Sequence, residues 1–266
     1  MLQRIPFIPR RPRIAILRLQ GVIAATGSRG TLAHAALAPV IERAFRRGRP
    51  AAVALAINSP GGSPVQSALI GAHIRRLADE LSMPVHAFVE DVAASGGYWL
   101  AASADDIWVD PSSLTGSIGV ISAGFGFVDL IASYGIERRV HTAGEDKSLL
   151  DPFRPEREED IARLKDIQAR IHSSFIDHVR ARRGDRLATG RDLFTGEVFV
   201  GQEAVEAGLV DGIAHLGPKM RELYGDRVTF QTHVQRRPLL SRLTPGIVGD
   251  VATAVETRAH WARYGL

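Results

Sequence analysis

The run A-A-V-A-L-A-I-N at 51–58 constrains the fold more than any other feature, because it is apolar at every position before Asn58. A strand this uniformly apolar must be covered on both faces, as in a parallel sheet flanked by helices. The run ends in S-P-G-G, and the segment that follows, 64–80, puts Ile70, Ile74 and Leu77 on one helical face. The same order recurs on either side. Residues 13–24 read as a strand and 31–47 as a helix whose apolar positions are Leu32, Ala36, Val40, Ile41 and Phe45. Residues 84–90 read as a strand, 95–104 as a short helix and 106–110 as another strand. Strand–helix alternation at this pitch predicts βαβ units and a mostly parallel sheet.

Further along, the spacing predicts a helix over 127–134, a strand over 136–143 and one long amphipathic helix from 155 to 183. In that long helix Ile161, Leu164, Ile171, Phe175 and Val179 share a face. Its first turn is acidic and its last basic, as the helix dipole favours, and Gly184 supplies the stop. A smaller α/β segment lies around 203–214. We divide the chain into a basic N-terminal arm at 1–12, a single domain at 13–232 and a tail at 233–266, with a helix expected at 248–263.

The composition removes several chemistries. The 266 residues contain no cysteine, so disulfides, zinc–thiolate sites and cysteine nucleophiles are excluded. No motif for a metal or a cofactor is present, and none is expected. The net charge is +4, and the basic residues crowd toward the ends: residues 1–50 carry ten arginines against the single acid Glu42. No basic stripe interleaved with aromatics accompanies them, so nucleic acid is not an expected partner. No segment approaches the roughly eighteen apolar residues of a transmembrane helix, and the N-terminus lacks the apolar core of a secretory signal. The expectation is a cytoplasmic protein. Its arm, with Leu2, Ile5, Phe7 and Ile8 among arginines, reads as a peripheral contact on the inner face of the cell membrane.

Two strand–helix turns could carry chemistry. In N-S-P-G-G, 58–62, glycines after a parallel strand leave backbone N–H groups bare at the carboxyl edge of the sheet, where α/β proteins place their sites. In D-V-A-A-S-G-G-Y-W, 91–99, Ser95 has the same position one unit later. It reads as an exposed nucleophile followed by a Gly96 N–H that could hold an oxyanion, or as a helix N-cap, a common role for serine. A serine nucleophile needs a proton acceptor. The nine histidines are scattered, and none falls between 87 and 140. Only three of the 33 basic residues are lysines, namely Lys147, Lys165 and Lys219. Arginine cannot lose its proton in a protein but a desolvated lysine can, which ranks Lys147, in the polar loop 143–153, as the candidate base. The plainer reading of Lys147 is a solvated loop residue.

Taken together, I-N-S-P-G-G at 57–62, A-S-G-G-Y-W at 94–99, T-G-S-I-G-V at 115–120, A-G-E-D-K-S-L-L-D-P-F at 143–153 and F-T-G-E-V-F-V-G-Q-E-A-V-E-A-G-L-V-D at 194–211 resemble the signal peptide peptidase A (protease IV) family of serine peptidases. The resemblance spans about residues 13–225. It implies the crotonase-like (caseinolytic-protease-like) fold of stacked ββα units, with Ser95 as nucleophile, Lys147 as general base and Ser117 as the second serine that binds the lysine. It assigns the oxyanion hole to the N–H groups of Gly62 and Gly96. It also implies a homo-oligomeric ring in which serine and lysine come from adjacent protomers, acting on unfolded or signal-peptide-like peptides. Two rival classes stay open at this point. One is a crotonase-type acyl-CoA hydratase or hydrolase, which would need a carboxylate base such as Glu90 or Asp91; the other is a non-catalytic scaffold of the same fold.

Overall fold

The apolar run becomes strand β4 (Ala52–Ser59), buried at every position in the computed structural model of the protein, which describes residues 11–25, 31–144, 147–235, 258 and 261–265. It lies between two parallel partners, β1 (Arg13–Gln20) and β5 (Val85–Ala94). Beyond β5 come β6 (Asp106–Val109) and β9 (Gly212–Ile213), and beyond β1 comes β10 (Thr229–His233), giving the order β10-β1-β4-β5-β6-β9. Every neighbour along this path is parallel. The expected mixed α/β architecture with a mostly parallel sheet is what the chain adopts.

Strand β5 is longer than its hydrophobic pattern suggests, because it serves two neighbours in succession. His86–Phe88 pair with β6, whereas Val92–Ala94 pair with β7 (Leu114–Gly116). Between them the strand bulges: from Ile57 to Ser59 on β4 is two steps, but their partners Val89 and Ala93 are four steps apart. Glu90 and Asp91 occupy the bulge, Glu90 paired with Arg18 at 2.9 Å and Asp91 accepting from the Asn58 amide. The Asn58 carbonyl in turn accepts from Val92 N–H. Strand β7 also pairs antiparallel with β8 (Val198–Val200), alone in the main sheet among the described residues. A small parallel pair, β2 (Val22–Ile23) with β3 (Thr31–Leu32), lies beside the first turn.

Helices cover both faces. Helices α1 (His34–Arg46), α2 (Pro64–Leu81), α3 (Gly96–Ala102) and α5 (Glu158–Arg183) share the larger core, in which Leu17, Leu55, Ile57, Ile74, Tyr98 and Val179 are buried. Helix α7 (Leu216–Tyr224) closes the other face over Ile14, Ala52, Ala54 and Phe88, where small alanines let it approach. Helices α4 (Val128–Ser133) and α6 (Gly201–Glu206) are short.

Two expectations need correction. The strand expected at 136–143 is irregular chain, with 136–139 and 141–143 exposed. Its apolar pattern, broken by Glu137, Arg138 and Arg139, meets no partner strand, so nothing satisfies its backbone as a ladder would. The helix expected from 31 instead begins at His34, after Thr31 and Leu32 have been drawn into β3. The tail helix expected over 248–263, like the N-terminal arm up to residue 10, falls largely outside the described residues.

The end of α5 is locked by a buried guanidinium. Arg183, only 3% exposed, donates to Gly208 O and to both carboxylate oxygens of Asp211. The same carboxylate accepts Ile107 N–H at 2.8 Å, so one ion pair joins α5, β6 and the turn before β9. Removing the carboxylate strands a buried charge, which typically costs about 3–5 kcal/mol. Asp211→Ala should therefore lower unfolding stability by about that amount, read as a fall in the urea midpoint at unchanged slope.

Candidate active site

Ser95 is the hinge between β5 and α3, and its backbone is unusual. With φ 51° and ψ −122° it occupies a region that side chains other than glycine rarely enter. The last rung of the β5–β7 ladder holds it there, Ser95 N–H donating to Gly116 O at 2.9 Å. At the helix side, Trp99 N–H donates to Ser95 O at 3.0 Å. The N-cap reading fails on geometry, because the Ser95 side chain makes no capping hydrogen bond. The hydroxyl is half-buried and has no partner among the described residues.

The S-P-G-G turn lies against this hinge. A Cβ on Gly61 would come within 2.8 Å of Ser95 Cβ, Ala94 O and Gly96 N, so only glycine allows the approach. Gly62, at φ 142°, is pinned between Ile23 N–H donating to Gly61 O and Ser63 N–H donating to Ile23 O, both at 2.8 Å. Its own nitrogen sits 3.4 Å from where a Gly96 Cβ would be. The amides of Gly62 and Gly96 thus belong to neighbouring turns beside Ser95, and neither has a hydrogen-bond acceptor among the described residues. Paired unsatisfied N–H groups next to an unbonded hydroxyl make an arrangement suited to acyl transfer.

Ser117 stands beside Ser95. Ala94 and Gly116 are paired partners on neighbouring strands, so the residues after them leave the carboxyl edge side by side, about 4.8 Å apart in strand spacing. Ser117 also has positive φ, 50°, and its N–H donates to Glu197 O at 2.7 Å. Its hydroxyl accepts a hydrogen bond of 3.4 Å from Tyr264 Oη, which brings the end of the chain to the site.

Lys147 is elsewhere. It opens an exposed turn, its N–H donating to Gly144 O, and its ammonium bonds neither serine. It belongs to a long excursion, residues 119–157, that leaves the body between β7 and α5. The excursion is held by its own contacts, Phe127 N–H to Pro152 O and Phe127 stacked on Phe153. It exposes Ile121, Phe125 (81%), Leu130, Tyr134 and Ile136. The structure therefore brings Ser95, Ser117, Gly62 and Gly96 together and leaves Lys147 apart from them within one chain.

Helix α5 supplies residues that the apolar pattern concealed. His172 Nε2–H donates to Ile118 O at 2.9 Å, immediately after Ser117. His178 lies flat on Trp99 at 4.2 Å and donates through Nε2–H to Trp99 O at 3.1 Å. Phe175 packs on the same indole, and Arg182 donates to Ala102 O and Ala104 O. One stripe of α5, at steps of three and four, thus grips the backbone behind both serines. The spacing of these histidines was visible in the sequence; that they would meet carbonyls was not. Glu90 and Asp91, the carboxylates an acyl-CoA reading would need, are engaged in the bulge by Arg18 and Asn58. Among the described residues no group of three or more His, Asp or Glu is placed to hold a metal ion.

The sequence pattern of Peptidase family S49 matches residues 78–223, more than half of the chain. A segment of a Brucella abortus protein described as Na(+)/H(+) antiporter NhaA is 47% identical over 97% of this chain, which covers 38% of that protein. The chloroplastic serine protease SPPA of Arabidopsis thaliana is 31% identical over 77% of this chain, which covers 31% of it. The chain thus spans well under half the length of these relatives. Among solved structures, the 1510-N membrane-bound stomatin-specific protease superposes with a TM-score of 0.51 at 13% identity, covering 86% of this chain and all of that one. That likeness is one of fold, and it agrees with the caseinolytic-protease-like architecture.

The histidine stripe has a pH consequence. Burial, reinforced by the Arg182 charge, pushes His178 down from 6.5 to about 4. Burial also lowers His34, helped by His73, and His233, helped by Arg43 and Arg47. Unfolded, these imidazoles take up protons near pH 6.5, whereas the folded chain withholds them, so stability declines as pH falls below that value. Chemical denaturation between pH 7 and pH 4 should show this decline, with His178→Gln flattening part of it.

Proposed function

The chain belongs to peptidase family S49, and from that premise we propose that it is a serine endopeptidase using a Ser–Lys dyad on unfolded or signal-peptide-like peptides. One observation carries the reading: Ser95, held in a positive-φ strand-to-helix turn with its hydroxyl unbonded, beside the two unengaged amides of Gly62 and Gly96.

In the proposed cycle the Ser95 hydroxyl attacks the scissile carbonyl as its proton passes to neutral Lys147. The carbonyl oxygen gains negative charge and is held by the Gly62 and Gly96 N–H groups. Lys147 returns the proton to the departing amine, leaving an acyl-enzyme. A water molecule, deprotonated by Lys147, then attacks the ester and releases the acid and the Ser95 hydroxyl. Ser117, which follows the strand residue paired with Ala94, is proposed to orient the lysine amine.

We further propose that this lysine is supplied by a neighbouring copy. Its position on an arm with exposed Phe125, Leu130, Tyr134 and Ile136 supports a site completed when that arm packs on the next chain. Substrates presented near a membrane are consistent with the Brucella relative, in which a homologous segment is part of a chain described as an antiporter.

Ser95→Ala and Lys147→Ala should each abolish cleavage of a quenched fluorescent peptide while melting like the parent. Mixing the two inactive proteins after dissociation and reassembly should recover a fraction of the activity, since some junctions then pair an intact Ser95 with an intact Lys147. Turnover by either variant alone would exclude the dyad, and silence of the mixture would place serine and lysine on one chain.

A further inference from the structure

Many arginines of this chain are paired. Arg18, Arg46, Arg75, Arg76, Arg183 and Arg191 each reach a carboxylate within 3.3 Å. Other arginines have no such partner, and six of them gather at one corner. Arg11, Arg13, Arg43, Arg47, Arg49 and Arg227 have no carboxylate partner among the described residues. Five of the six are exposed and Arg13 is half-buried.

These residues come together through the fold, not through sequence alone. Arg13 starts β1 and its guanidinium lies on Gly48, donating to Gly48 O at 3.4 Å, between Arg47 and Arg49. Arg43 is one helical turn before Arg47, whose N–H donates to Arg43 O. Thr229 N–H donates to Pro12 O, which sets the turn containing Arg227 beside Arg11. Asp226 is the acid in that turn. On the same helix, Arg46 points the other way and is neutralised by Glu42 and Glu80. The unbalanced field reaches the interior: His233, 7% exposed with a buried Nε2 that has no partner among the described residues, has its pKa lowered by burial and by Arg43 and Arg47.

We propose that this arginine corner seats the protein on an anionic bilayer through lipid phosphates. Guanidinium groups match phosphate oxygens in geometry and charge, and several together give a salt-sensitive, reversible attachment. A bilayer is favoured over nucleic acid because the chain continues from Arg11 into an N-terminal segment in which Leu2, Ile5, Phe7 and Ile8 accompany further arginines. That composition suits a lipid interface, whereas no aromatic platform for bases adjoins the corner.

The attachment fixes an orientation. The corner lies at the amino edge of the parallel sheet, where β1 and β4 begin, whereas Ser95 and Gly62 follow the carboxyl ends of β5 and β4. An eight-residue strand separates the two edges by about 26 Å. This consequence rests on the proposed peptidase site. The reaction centre then faces away from the lipid, toward segments that stand clear of the bilayer.

Cosedimentation of the full chain with phosphatidylcholine vesicles, with and without phosphatidylglycerol, tests the attachment. Binding should require phosphatidylglycerol and disappear at about 0.5 M salt, beyond the reach of surface electrostatics. The triple variant Arg43→Glu, Arg47→Glu, Arg49→Glu should lose vesicle binding at least tenfold. A chain lacking residues 1–10 should keep a measurable part of it. Unchanged peptide cleavage by the triple variant shows that it is folded and separates this outcome from a failure of the peptidase reading; should the parent cleave no peptide, an unchanged melting temperature serves instead. Full binding by the triple variant overturns the proposal, as does complete loss on arm deletion alone. Displacement from vesicles by a short DNA duplex at lower concentration than by phosphatidylglycerol vesicles would assign the corner to nucleic acid and likewise overturn it.

Discussion

The hydrogen bond from Ser95 N–H to Gly116 O is the contact on which the site depends. It is the last rung between β5 and β7, and it holds a non-glycine residue at positive φ, where the isolated backbone would not stay. The same rung puts Ser117 next to Ser95, at the start of the helix whose Gly96 lies close to Gly62. The core bears the cost of that strain. Strand β4 is buried along both faces and β5 everywhere except at its bulge, and α5 clamps the carbonyls behind each serine.

Much of this was legible in the residues. The apolar run at 51–58 could belong to little other than an interior parallel strand, and S-P-G-G and A-S-G-G were recognisable as turns at its carboxyl edge. The serine itself was ambiguous, because capping a helix and attacking a carbonyl both suit exposure at a helix start. The structure separates them: Ser95 holds the N-cap position of α3, but its side chain makes no capping hydrogen bond. The supposed strand at 136–143 misled because a β-like pattern needs a partner, and the chain offers none there.

Other parts lay beyond sequence reasoning because they depend on pairs distant in the chain. His172 and His178 look like polar interruptions of an amphipathic helix until Ile118 O and Trp99 O are brought opposite them. Lys147 is the reverse case: its rarity marked it out, but it is exposed and its ammonium bonds neither serine among the described residues. The arginine corner combines residues from the start of β1, the end of α1 and the turn before β10, which no linear charge count would group.

The bulge at Glu90–Asp91 has a meaning beyond its hydrogen bonds. Two additional residues in β5 advance its upper half relative to β4, by about 6–7 Å of strand if fully extended. Without them the ladder would bring Ser95 to the edge out of step with Gly62. The bulge is thus a spacer that sets the reach of one strand against another. Connections such as the 119–157 excursion can lengthen or shorten without disturbing that alignment, but β5 cannot.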